Sequence, residues 1–198
     1  MRPQYSITTP PASEPISTDK AAEHVRVDSA DDIEYLAALI TVAREYAEAV
    51  TGRTALTTAH RVVAPSWAAF GIASDQSISL FRTPLVSVQA VKYYAPDAAT
   101  ITTMDTGDYR AITATEPGIL QITGDLPAVD CRPDAIQIEF TSGVATSALV
   151  PATMRHAIKM LVAHYYEQRV PIAFATSTEI PFGLRVLLEH QKIGGWSA

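Results

Sequence analysis

Cysteine is nearly absent from this chain. A single Cys131 in 198 residues rules out an internal disulfide and any cysteine cage around a metal. Charge is sparse as well: 18% of residues are charged and the balance is −6, which argues against a nucleic-acid binder, since that would need a basic face to neutralise phosphates. That shortage still permits a protein that lets DNA pass without holding it. No apolar run is long enough to cross a bilayer, and the opening MRPQYSITTPP lacks the hydrophobic centre of a signal peptide. The sequence therefore reads as cytosolic at synthesis, with no membrane partner. Hydrophobic residues at 47% describe a folding, globular chain, and its length fits one domain or one domain carrying an insertion. Stability has to come from packing or from assembly.

Chemical motifs are missing too. No G-x-G-x-x-G, Walker or G-x-S-x-G pattern occurs, and Gly71 and Gly118 read as lone turn glycines. His156 and His164 stand more than two helical turns apart, too far to share a metal as an i, i+4 pair does. His164 borders an apolar stripe and reads as packed or capping. His24 with Asp28, Asp31 and Asp32 comes nearest to an acid or metal cluster, but those carboxylates sit where helix ends and starts favour them. Cys131 precedes Arg132-Pro133 in a turn, without a histidine motif beside it, and reads as a bystander thiol. Tyr93-Tyr94 and Tyr165-Tyr166 are not interleaved with basic residues, which argues against a base-stacking platform. The expectation is a non-enzyme with no cofactor and no metal.

What the chain does have is one dominant helical stretch, residues 31–52. Ile33, Leu36, Ile40, Ala43, Ala47 and Val50 recur at alternating steps of three and four, the spacing of one helical face. Tyr35, Leu39, Val42, Tyr46 and Ala49 repeat those steps about one-third of a turn away at ~100° per residue. Only a narrow polar wedge remains: Glu34, Thr41, Arg44, Glu45 and Glu48. A helix this apolar is covered on more than one side, either within one core or by its own domain and a neighbouring subunit.

Around it the chain reads in order. Residues 1–16 carry Pro3, Pro10, Pro11 and Pro15 among Ser and Thr and read as an extended arm, a tail rather than a folded element. Ser17 suits an N-cap, with Asp19 in the first turn, for a short helix to about Val27. Ser29 with Asp32 resembles a capping box opening the long helix, and Gly52 a left-handed C-cap closing it. Residues 56–65, 77–81, 86–94, 109–113, 119–123 and 135–141 are short, β-branched or aromatic, and separated by Pro, Gly and Asp. They predict one antiparallel sheet of five or six strands. Ile136-Gln137-Ile138-Glu139-Phe140 alternates and should have one wet face. Residues 95–97 and 105–108 are turns. Pro151 suits the first turn of a third helix to about Arg169, with Met154, Ala157, Ile158, Leu161 and Tyr165 as its stripe. Residues 170–181, bounded by prolines, are too apolar for a solvent loop and read as a partner contact. A last helix, 182–192, carries Leu184, Leu187 and Leu188, and Ile193 and Trp196 end the chain as a possible anchor. Helices flanking a sheet, rather than alternating with strands, make the class α+β. The expected divisions are an arm at 1–16, a helical domain at 17–53 with 150–193, an inserted β subdomain at 54–149 and a tail at 194–198.

The order of these parts resembles a known family. HVRVD (24–28), AREYAEAVTGR (43–53), V-P-x-x-M-R-x-A-I (150–158), HYYEQR (164–169) and EIPFGLRVLL (179–188) together look like the head–tail connector proteins, the adaptor or head-completion proteins of long-tailed bacteriophages and gene transfer agents. The likeness covers about residues 16–193 and leaves the arm aside. It implies a structural subunit in the neck of a virion or virus-like particle, assembled in the bacterial cytoplasm. It also implies a homo-oligomeric ring, usually twelve-fold, beneath the portal protein. Such a ring extends the DNA channel without specific DNA binding and offers a platform to a stopper or tail-completion protein. The family's C-terminal segment docks on the portal, which implies that role for Leu184, Leu187 and Leu188, extended on apolar character to Ile193 and Trp196. The long helix would line subunit contacts through Tyr35, Leu39, Val42 and Tyr46, with Ile172 and Phe174 of the 170–181 loop as the other half, since a closed ring joins two different patches. The alternatives are a small cytosolic α+β enzyme or ligand-binding module around His24, Asp28 and Asp32, or a stopper or tail-completion subunit.

Overall fold

The dominant stretch folds as one helix in a computed structural model of the chain, which describes residues 2–27, 32–72, 74–168 and 182–194. Two compact units result, Ala12–Leu56 with Val144–Ala198 and Met1–Pro11 with Thr57–Gly143.

The first unit is helical: α1 (Thr18–Val25), α2 (Ile33–Thr51), α3 (Ala152–Glu167) and α4 (Phe182–His190). Ser17 opens α1 by accepting the Lys20 N–H on its hydroxyl at 3.4 Å. Arg26 closes it in the left-handed region at φ 58°, with the Val27 N–H donating to Ala22 O at 3.0 Å. That closure uses a non-glycine residue where glycine is the usual choice, at a cost of about 1 kcal/mol. Gly52 closes α2 at φ 72°, its N–H donating to Glu48 O at 3.0 Å. Ser29 of the expected capping box lies outside the described residues. Asp32 holds the N-cap position of α2 but makes no side-chain cap bond there, and its Oδ2 accepts the Tyr166 hydroxyl at 2.8 Å instead. Leu36, Ile40, Ala43 and Ala47 of α2 pack with Met154, Ala157, Ile158 and Leu161 of α3 and with Ile16, Ala21, Leu184 and Leu188. Each large side chain fully buried here contributes about 1.5–3 kcal/mol.

The polar wedge of α2 is only partly solvated: Glu34 and Glu45 are exposed, but its centre is not. Arg44 is only 4% exposed, and Glu48 and Thr51 are buried with it. The Arg44 guanidinium donates to Glu14 Oε2 at 2.8 Å and to Glu48 Oε2 at 3.0 Å, while Glu48 Oε1 accepts the Ala55 N–H at 2.8 Å. The Thr41 hydroxyl donates to Glu14 Oε1 at 2.9 Å. The segment before α1 folds back over the helix and supplies the missing carboxylate, so the buried charges are paired and bonded as burial demands.

The second unit is antiparallel β structure in two sheets. β1 (Gln4–Thr9), β2 (Thr58–Ala64), β4 (Leu85–Tyr93), β5 (Thr102–Thr103) and β8 (Ile136–Ser142) form one, in the order β1-β2-β8-β4-β5. β3 (Ser77–Leu80), β6 (Tyr109–Ile112) and β7 (Gly118–Ile122) form the other, in the order β3-β7-β6. The single sheet expected from the sequence is therefore two, and β1 comes from the stretch read as a free tail: Gln4 pairs with Val63 and Ile7 with His60. Tyr5 secures it, its ring edge-on to Phe140 at 6.2 Å and its hydroxyl accepting the Phe81 N–H at 3.3 Å. β2 and β8 alternate buried and half-buried positions along their whole length. Ile136, Ile138 and Phe140 face the core, and Glu139 faces out, accepting Arg61 at 2.8 Å and Lys92 at 2.9 Å. Gly118 is not a turn glycine but the first residue of β7, where an added Cβ would lie 2.4 Å from Leu85 Cβ. Gly71 does close a turn, at φ 66°.

Candidate functional site

In the helical unit, side chains at i, i+3, i+7 from a helix's outward face mark what a second helix would meet. On α2 that face reads Tyr35, Ala38, Val42, Glu45 and Ala49, all exposed, at steps of three and four. Four of the five are apolar, Val42 is 50% exposed, and Tyr35 is 38% exposed. Tyr35 is held from below by the Tyr166 ring, 6.2 Å away and tilted 46°, and the Tyr166 hydroxyl is in turn fixed by Asp32. The seam therefore carries a positioned aromatic at one end. Of the other residues expected at a subunit contact, Leu39 is buried in the unit's own core and Tyr46 is half-buried against it, because both lie nearer the α3 side of the helix. Ile172 and Phe174 lie outside the described residues.

The C-terminal docking set divides differently. Leu184, Leu188 and Ile193 are buried in the helical core, and the Ile193 N–H donates to Thr51 O at 3.0 Å. Leu184 and Leu188, four apart, are the inward face of α4, and with Ile193 beyond its end they hold the helix in place. Leu187 is half-buried, and Val186, which the sequence reading passed over, is exposed at 45%. The Arg53 guanidinium donates to Gln191 O at 2.8 Å, fixing the end of α4 to the end of α2. Trp196 lies outside the described residues.

Of the His24 group, the two described members, His24 and Asp32, take different partners. Asp28 and Asp31 lie outside the described residues, and Asp32 is engaged with Tyr166. His24 instead faces α3, its ring 6.5 Å from that of His156. Partial desolvation, then the positive charges of Lys159 and His156, hold its pKa below the usual histidine range. His164 sits two turns further along α3, its ring 5.9 Å from Tyr165 and its carbonyl accepting the Gln168 N–H. Among the described residues no three His, Cys, Asp or Glu side chains come together to hold a metal. Cys131 is exposed, beside an Arg132 that pairs with Asp134 at 2.6 Å and lies over the Tyr94 ring at 3.7 Å.

Comparison with solved structures then places the fold. A chain from the neck of an empty gene transfer agent particle, computed with C6 symmetry, superposes with a TM-score of 0.75 at 19% identity, over 96% of this chain and 95% of that one. The chain has the fold of a particle-neck protein. A chain from the virion of a native gene transfer agent particle gives 0.70 at 20% identity, over 96% and 95%. One from the neck of a native particle, computed with C12 symmetry, gives 0.67 at 22%, over 98% and 96%. The expected resemblance to head–tail connector proteins thus holds at the level of the fold, over nearly the whole chain. No family model matches the chain, and no curated protein does.

Proposed function

We propose that this chain is a structural head–tail connector subunit of a tailed phage or gene transfer agent, acting as an adaptor ring beneath the portal rather than as an enzyme. The observation that carries the reading is the end-to-end match to a particle-neck chain, at a TM-score of 0.75 over 96% of this chain. Matches to necks with C6 and with C12 symmetry support a closed ring of identical subunits. A ring needs two unlike patches on each copy, and the outward seam of α2, Tyr35 to Ala49, is suited to be one of them. It is apolar, helical and already rigid, so little ordering entropy is lost on contact. Residues 170–181, with Ile172 and Phe174, are proposed as the other.

Docking on the portal is assigned to the C-terminal segment, through Leu187 together with Val186 on the outward side of α4 and with Trp196 beyond it. Leu184, Leu188 and Ile193 support that face from inside. A stopper or tail-completion protein would then bind the opposite end of the ring, and DNA would pass through without specific contact.

Mass photometry of the purified chain, alone and mixed with the portal oligomer encoded beside it, tests the reading. A gain of about one subunit per portal chain is expected, since a template gathers weak contacts that cannot close a ring unaided. A stable monomer that never adds to the portal, at micromolar concentration of both, would overturn the adaptor role.

A further inference from the structure

The helical unit holds a concavity of about 850 Å³ between α1 and α3 that the connector reading does not use. Its charged and titratable lining is Lys20, Glu23, His24 and Arg26 from the α1 side and Arg155, His156 and Lys159 from α3. Four permanent positive charges stand here against one negative, in a chain whose overall balance is −6. Among the described residues, Lys20, Arg26, Arg155 and Lys159 make no ion pair. Most other arginines of the described chain do pair with a carboxylate or a carbonyl, as Arg44, Arg61, Arg132 and Arg185 show.

Two further features sharpen the imbalance. The Arg155 Nε–H is shut off from water and has no acceptor, an omission that costs about 1–3 kcal/mol unless something fills it. Ala152, the first residue of α3, lines the same concavity. Pro151 before it offers no side-chain acceptor, so the first-turn N–H groups of a 16-residue helix are left without a side-chain cap. Like charges converge on an orphaned buried donor beside an uncapped helix start.

We infer that this cleft is an anion site whose ligand is a phosphate-bearing group. A carboxylate brings one negative charge and two oxygens, too little for four cations, one of them Arg155 with its buried Nε. Linked phosphates bring more charge and enough oxygens for Arg155, Arg26 and the two lysines at once. His24 extends the set on protonation. A bound anion offsets the repulsion that His24 feels from Lys159 and His156, so it favours the protonated His24 imidazole. Glu23, the one acidic side chain facing them, is outnumbered. The sequence carried a signal for this site in the i, i+4 pairs Lys20/His24 and Arg155/Lys159, each on one helical face.

Titration calorimetry of the full chain with sodium pyrophosphate, and separately with a short DNA duplex, tests the assignment. Pyrophosphate should bind at neutral pH. The Arg155→Gln/Lys159→Gln variant should lose at least about tenfold in affinity, and Arg155→Lys should retain most of it, with far-UV circular dichroism unchanged in both. If the double variant fails to fold, Lys20→Gln, at an exposed position, supplies the same readout at a smaller loss. Duplex binding that pyrophosphate displaces would make a nucleic-acid backbone the source, and pyrophosphate binding alone would make it a free phosphate; both uphold the site. No pyrophosphate binding, binding indifferent to the double variant, or preference for a polyglutamate peptide would overturn it.

Discussion

Arg44 Nε and Glu14 Oε2 meet at 2.8 Å, joining the middle of α2 to the segment that precedes α1. The pair converts an arginine that ought to face water into the centre of a buried cluster with Glu48, Thr41 and the Ala55 N–H. Removing either partner strands the other. Glu14→Ala should cost about 1–3 kcal/mol of stability. Arg44→Ala should cost about 3–5 kcal/mol, since it leaves Glu48 buried without its cation. Urea unfolding followed by far-UV circular dichroism measures both; equal, small losses would show that water reaches the cluster and replaces the lost partner.

The outward seam of α2 makes the opposite prediction. Val42→Asp alters an exposed position and should change subunit stability by no more than about 0.5 kcal/mol, while Tyr35→Asp also gives up the Tyr166 ring and should cost about 0.5–1.5 kcal/mol more. Both should nonetheless prevent ring closure on the portal, because each places a charge in a desolvated contact. Melting temperature and mass photometry on the same preparations separate the two effects. Normal ring formation by Val42→Asp would remove the seam from the interface.

On α4 neighbouring leucines and a valine should behave in two ways. Leu184→Ala opens a cavity in the helical core and should cost about 2–5 kcal/mol. Val186→Asp and Leu187→Asp act on the outer side, so their effect should appear as weakened portal binding with a far smaller change in stability. A loss of stability for Val186→Asp as large as that for Leu184→Ala would place the outer side within the fold's own packing.

His60 gives the β unit a pH dependence. Its ring stacks on Phe140 at 5.3 Å, and burial, then the positive charge of Arg82, pulls its pKa from 6.5 to about 4. Between those values the unfolded chain binds a proton that the folded one refuses. Stability is therefore fully present above about pH 6.5, falls as the pH drops toward 4, and levels below that, by up to about 3 kcal/mol. His60→Gln should flatten this part of the profile. Glu139, held low first by its bond from Lys92, would then contribute to what is lost at still lower pH, together with Asp134 and Asp75, held low first by Arg132 and Ser77. A thermal-melt series across that range decides it, and an unchanged slope in His60→Gln would assign the dependence elsewhere.

How far the sequence reached depended on whether a signal was local. The 3-and-4 spacing of Leu36, Ile40, Ala43 and Ala47, the Ser17 and Gly52 caps and the alternation of 136–140 are each written within a few residues, and each appears in the structure. The burial of Arg44 was not legible because its partner Glu14 lies thirty positions away, beyond any periodic pattern. β1 was missed because Ser, Thr and flanking prolines look like a tail until β2 offers a ladder. The split into two sheets was equally out of reach, since strand neighbours are a matter of topology rather than composition. On α4 the resemblance carried Leu184 and Leu188 over as a set with Leu187, while their spacing of four, the usual mark of an inward face, already pointed to the core in which the structure places them.

The β unit begins and ends at one place. Thr58 of β2 pairs with Ser142 of β8, and next to them Leu56 bridges Val144, whose N–H donates to Ala55 O at 3.4 Å. On the ribosome α2 emerges roughly a hundred residues before α3, a wait of about 5–20 s at ordinary elongation rates. Throughout that interval Leu36, Ile40 and Ala47 have no α3 to pack against. The β segment is complete by Ser142, before α3 is made, and once folded it holds the two ends of its own loop together. The search that α2 and α3 face then shrinks from closing a long flexible chain to joining helices on short tethers, with the closure entropy already spent. A lesion in the β2–β8 ladder should thus appear first as slow or aggregating helical assembly in a nascent chain, far from the residue that was changed.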